Sequence, residues 1–251
     1  MTASNWHDYL PAMPSVAAPF TLDPEHTALL LVDMQYACAG REYQLGKYYT
    51  ATRPEVGQRY FDIVEQVVLP NQQRLLAFFR EHGLRVMYLS VGSELPDASD
   101  LGPQIRARDA VVGGAAGSRP QVWRNSFERQ IMDAVAPHDG ELVINKLSKG
   151  AFNSSNIDVF LRNFRIRHLV VAGVATNACV ALTAQDAADR GYGVIIVDDA
   201  CASNSQVLHE ATLANFYHLY GRVLETSEVL DELQQSVAAS VAEPVLAATS
   251  T

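Results

Sequence analysis

VVAGVATNACVALTAQDAADRGYGVIIVDDA, residues 170–200, is the stretch from which the fold of this chain is read. The apolar run 168–172 reads as a buried strand that stops at Gly173. A turn of small residues follows. A helical pattern then opens by Thr176 and closes at Gly191, where glycine suits the left-handed position after a helix. The apolar run 194–197 is a second strand. Two strands joined through a helix are expected to lie parallel in one sheet. Thr176 is the expected N-cap, its hydroxyl accepting from a free N–H of the first turn. Cys179 then falls in that turn, where N–H groups and the helix dipole favour a thiolate, which makes it a candidate nucleophile.

The same alternation recurs outward from this unit. TALLLVDMQ, residues 27–35, reads as a buried strand ending in Asp33; 84–91 and 141–145 are further strands, the latter leading into Lys146, and 222–224 is a short last one. Helices are expected at 63–79, stopped by His82 and Gly83, at 157–164, at 207–220 and from Ser227 onward. Segment 36–55 lacks periodicity and reads as a long functional loop; the polar 92–117 stretch reads as a loop with short helical pieces wrapping near the site. The sum is one doubly wound three-layer α/β/α domain, residues 21–238, with about six mostly parallel strands. An extended arm, 1–20, carrying Pro11, Pro14 and Pro19, is expected to lie over the surface or on a neighbouring subunit. A tail, 239–251, is expected to be loose or packed on a partner.

Composition narrows the function. The chain has 251 residues, 48% of them hydrophobic, and a formal net charge of −9, so it reads as a globular protein with no nucleic-acid or anionic-membrane partner. Small neutral or weakly polar substrates are the expectation. Cys38, Cys179 and Cys201 show neither metal-ligand spacing nor a disulfide framework. With no apolar leader and no run able to span a bilayer, they suggest a reducing cytoplasm.

Ligands of doubly wound sheets bind at the carboxyl ends of the strands. Three reactive side chains fall there: Asp33, Lys146 and Cys179. Singly, each has a bland alternative, as turn former, solvated lysine or core filler. In order they form a pattern. LLLVDMQ (29–35), K-x-x-x-G-A-F-x-x-S (146–155), GVATNACV (173–180) and TAQDAADRGYGVIIVDDACAS (183–203) together resemble the isochorismatase-like cysteine hydrolases. That superfamily includes nicotinamidases, carbamoylsarcosine amidases, biuret hydrolases and ureidoacrylate amidohydrolases. The resemblance covers nearly all of the chain from the first strand onward. It implies a catalytic triad of Asp33, Lys146 and Cys179, a cis peptide between Val174 and Ala175, and a dimer or tetramer.

On this reading Cys179 attacks a carbonyl carbon to form an acyl-thioester, and Asp33 moves the proton from thiol to leaving nitrogen. Lys146 favours both anions, and the N–H groups of Ala175 and Cys179 form the oxyanion hole. LSVGSELPD, residues 89–97, lacks the Asp-x-His metal motif of nicotinamidases, so no metal and no cofactor is expected. A retained cysteine points to amide or ureido C–N bonds, with Gln35, Tyr36, Glu94, Phe152 and Asn177 as expected substrate contacts. An isochorismatase-type or ester hydrolase, or a non-catalytic interaction domain on the same fold, stays open as the alternative.

Overall fold

The computed structural model of the chain describes residues 6–9, 14–117 and 122–248. Six strands, Thr27–Val32 (β1), Arg85–Val91 (β2), Leu142–Lys146 (β3), His168–Val174 (β4), Gly193–Ala202 (β5) and Arg222–Leu224 (β6), form one sheet in the order β3-β2-β1-β4-β5-β6. Every pairing between them is parallel. The order reverses between β1 and β4, and this switch point is where a doubly wound sheet opens a crevice.

The described helices are Tyr36–Ala39 (α1), Gln44–Thr52 (α2), Pro54–Ile63 (α3), Leu69–Glu81 (α4), Pro103–Ala115 (α5), Ile157–Asn163 (α6), Ala181–Asp189 (α7), Gln206–Leu219 (α8) and Thr226–Ala248 (α9). Alternate strand residues supply the two cores. Leu29, Leu31, Val170, Ala172, Ile195 and Val197 pack against α3, α4 and α9 through Phe61, Leu75, Phe79, Val229 and Leu233. Ala28, Leu30, Val32, Leu169, Val171, Val194 and Ile196 pack against α6, α7 and α8 through Leu161, Ala184, Leu213 and Phe216. Strands covered on both faces are apolar throughout, which is why they read so plainly in the sequence.

Four local expectations change. Segment 36–55 is helical, carrying α1, α2 and the start of α3. Tyr48 and Tyr49 face a cavity as well as the first core, and Tyr36 and Tyr43 pack on Phe127, so no single core-facing periodicity marks it. The helix expected at 63–79 belongs to a longer run that begins at Pro54, with a wide turn at Val64–Val68 where the Leu69 N–H reaches the Val64 carbonyl. Pro70 has no N–H to offer Gln66, and the widened turn accommodates that gap. Residues 103–115 form a full helix despite Gly113 and Gly114, because Ile105, Asp109 and Val112 share its buried face. β5 runs past Val197: the register with β4 shifts between Val171 and Gly173, and Cys201 and Ala202 rejoin the ladder beyond that irregularity.

The described N-terminal residues pack on their own chain. Trp6 is buried in the second core and its Nε1 donates to Asp198 Oδ2 at 2.7 Å, while Val16 N donates to the His218 carbonyl at 2.9 Å. Pro11 lies outside the described residues. At the other end α9 runs through position 238 without a break, and residues 249–251 lie outside the described part.

Gly173 stands where β1 and β4 meet. Its φ is +131°, and a Cβ there would sit 2.1 Å from the Val32 carbonyl oxygen. A side chain cannot be accommodated against fixed backbone at that distance. Gly173→Ala is therefore expected to lower stability by about 3 kcal/mol or more in urea unfolding. Gly114→Ala, in α5 with nothing within 4 Å of the added carbon, is expected to leave stability unchanged or raise it by up to about 1 kcal/mol.

Candidate active site

Asp33 follows β1 in a left-handed backbone conformation, φ 53°, which aspartate tolerates better than most residues. Its N–H is held by the Leu89 carbonyl at 3.0 Å. The next turn is fixed by Gln35, whose amide donates to the Val91 and Arg129 carbonyls and accepts from Val91 N at 2.8 Å. Asp33 thus sits at the switch point with its carboxylate inside the protein.

Lys146 ends β3, on the far side of β2, and reaches across. Its Nζ lies 2.9 Å from Asp33 Oδ2 and 3.2 Å from the Ser148 carbonyl, and both ends of the pair are buried. The K-x-x-x-G-A-F-x-x-S stretch makes the return loop. Ser154 Oγ accepts from Leu147 N and Ser148 N, Ser155 Oγ donates to the Ala151 carbonyl, and Ala151 N donates to Thr183 of α7. Asp33 Oδ1 is buried with no hydrogen-bond partner among the described residues. It is an acceptor left free.

Cys179 comes from the third element. The turn Thr176–Val180 after β4 is wider than α-helical, and the Val174–Ala175 peptide is cis. Thr176 does not cap the helix through its side chain. Its hydroxyl meets His209 Nδ1 at 2.8 Å, and His209 Nε2 meets Asp198 Oδ1 at 2.8 Å. The expected capping site is thus occupied by a buried network from α8 and β5 that ties down the turn carrying Cys179.

Electrostatics differ from the thiolate reading. Burial, and then the facing Asp33 carboxylate, push the Cys179 thiol up to about 12, with Lys146 pulling weakly the other way. Burial works against the charge on Lys146, yet Asp33 and Cys179 outweigh it and its pKa is raised. The resting state is a neutral thiol beside an intact ion pair, so proton removal has to accompany attack.

Asp33, Cys179, Ala175 and Asn177 share a cavity of about 270 Å³. Its other walls include Cys38, Tyr48, Tyr49, Tyr60, Arg108 and Asn204. Four expected contacts lie elsewhere. Gln35 is spent on the backbone clamp above. Tyr36 packs on Tyr43 and Phe127 and accepts from Asp133 N. Glu94 is held by Arg129 and Asn145, each at 2.7 Å. Phe152 packs against the second core, under Arg190. The helical residues that line the cavity instead sit on α1, α2, α3 and α5. The spacing Ile105, Arg108, Asp109, Val112 behind Pro103 is the signal that would have exposed α5.

Removing one member of a buried ion pair strands the other, so Asp33→Asn and Lys146→Met are each expected to cost about 3–5 kcal/mol in urea unfolding. The double variant should cost less than their sum. Thiolate absorbance attributable to Cys179, taken as wild type minus Cys179→Ala, should be absent at neutral pH and appear only in strongly alkaline solution.

Comparison with known proteins agrees with this architecture. The isochorismatase domain model matches residues 27–228. The isochorismatase family protein YwoC of Bacillus subtilis (strain 168) is 31% identical over 168 residues, covering 66% of this chain and 84% of that protein. Among solved structures, a cysteine hydrolase from Pseudomonas syringae pv. phaseolicola 1448A superposes with a TM-score of 0.69 at 24% identity, over 89% of this chain and 100% of that one. N-carbamoylsarcosine amidase from Thermoplasma acidophilum gives a TM-score of 0.56 at 23% identity, over 80% of this chain and 96% of that one. Likenesses at this identity are of fold. With the domain match spanning all six strands and the Asp33, Lys146 and Cys179 positions, the chain belongs to the isochorismatase family of hydrolases.

Proposed function

We propose that the chain is a cysteine-dependent amidohydrolase that cleaves a C–N bond of a small amide or ureido compound. One observation carries the reading: a buried thiol and a buried carboxylate with a free oxygen face one cavity, and a buried ammonium holds that carboxylate by its other oxygen. Cys179 Sγ attacks the substrate carbonyl carbon while its proton passes to Asp33. The oxyanion is held by the N–H groups of Ala175 and Cys179 at the turn after β4. Collapse of the tetrahedral species breaks the C–N bond, and Asp33 returns the proton so that nitrogen leaves as ammonia or an amine. Water then attacks the thioester, gives its proton to Asp33, and the acid and free thiol are restored. Lys146 keeps the carboxylate charged between these transfers and fixes its orientation.

The high resting thiol pKa supports the division of labour. A thiol that does not ionise alone depends on its base, so the two residues act as a unit. Ammonia or amine release from a panel of nicotinamide, biuret, ureidoacrylate and carbamoyl amino acids tests the proposal. Release by wild type and none by Cys179→Ala is expected, and Asp33→Asn should fall by about 10²–10⁴-fold. Equal release by wild type and Cys179→Ala, or silence of the wild type across the panel, overturns it.

A further inference from the structure

The charge on the cavity wall is not that of the chain. The sequence carries a formal net charge of −9. Yet the charged side chains lining the cavity are Asp33, paired with Lys146, and two cations, Arg108, paired with Asp109, and Lys149. Arg108 is held as a presented group. Its Nε donates to Asp109 Oδ1 at 2.7 Å, and Nη2 is paired with the same oxygen. Asp109 is 2% exposed while Arg108 is 40% exposed, so the carboxylate grips the inner edge of the guanidinium. Neither of these contacts uses Nη1. Arg108, Cys38 and Cys179 line the same cavity, so the guanidinium and the reacting thiol face one space. Leu45, Ile105, Val112 and Val174 line the wall with it, and an apolar surround strengthens a charge-assisted hydrogen bond.

A planar guanidinium fixed along one edge offers its remaining donors to a carboxylate. We propose that Arg108 is a substrate-anchoring residue, and that the compound cleaved is an anion: a small amide or ureido acid whose carboxylate rests on Arg108 while its carbonyl reaches Cys179. Resting on the amidohydrolase reading, this replaces the neutral substrate that the acidic composition suggested. A cavity of about 270 Å³ suits a molecule smaller than the usual drug-sized ligand. Lys149, early in the loop after β3, adds attraction without a fixed geometry.

Alkylation of Cys179 by iodoacetate and by iodoacetamide tests the anchor without any need to know the substrate. In both reactions sulfur displaces iodide from the CH2 carbon and the thiol proton is lost. The reagents differ in the carboxylate. Rates are followed at Cys179 by peptide mass spectrometry, which separates it from Cys38. The iodoacetate-to-iodoacetamide rate ratio is expected to fall about tenfold or more in Arg108→Gln, and Arg108→Lys should recover part of it. A general loosening of the fold would move both rates together and leave the ratio alone. A ratio unchanged by Arg108→Gln, or a wild-type Cys179 that iodoacetate does not label, overturns the assignment. Failure of the amidohydrolase reading shows separately, as silence across the substrate panel while the ratio still falls.

Discussion

The buried contact between Lys146 Nζ and Asp33 Oδ2, at 2.9 Å, is the constraint around which this molecule is arranged. The two residues leave strands separated by β2, a span of about 10 Å at ordinary strand spacing, and a long unbranched side chain closes it. Neither charge is tolerable there alone. Everything that fixes the ends of β1 and β3 therefore also fixes the pair: the Gln35 clamp onto Val91, the serine-braced loop after Lys146, and the glycine that lets β1 approach β4. A buried ion pair adds little net stability. What it gives this fold is a carboxylate of fixed orientation and charge.

The site divides into a part made by the sheet and a part made by the added helices. Asp33, Lys146 and Cys179 come from strand ends, where the ladder leaves little freedom. Tyr48, Tyr49, Tyr60 and Arg108 come from the helices α2, α3 and α5. On the proposed function, bond breaking is tied to the rigid frame, while choice of substrate falls to segments that can vary without disturbing it.

That division also explains what the sequence could reveal. β1, β4 and the reactive positions were legible because strands buried on both faces are apolar without interruption and break sharply at Asp33 and Gly173. The cavity walls were not. Segment 36–55 divides its tyrosines among a cavity, the first core and Phe127, so it mimicked a loop. Residues 103–115 hid a helix behind two glycines. Gln35 and Glu94 were polar residues beside the site, a position equally natural for substrate contacts and for the braces they turned out to be. Thr176 satisfied every local rule for a cap and was drawn instead to His209, a partner 33 positions away.

The bond from Trp6 to Asp198 spans 192 positions, and through His209 it ends at the turn holding Cys179. During vectorial synthesis the indole emerges long before its acceptor exists. The sheet cannot help it, since β1 must itself wait for β4 before its own second neighbour arrives. An early hydrophobic residue without a docking site is a hazard for a nascent chain. The late arrival of β5 and α8 therefore sets both when Trp6 finds its acceptor and when the turn that carries Cys179 gains its His209 brace.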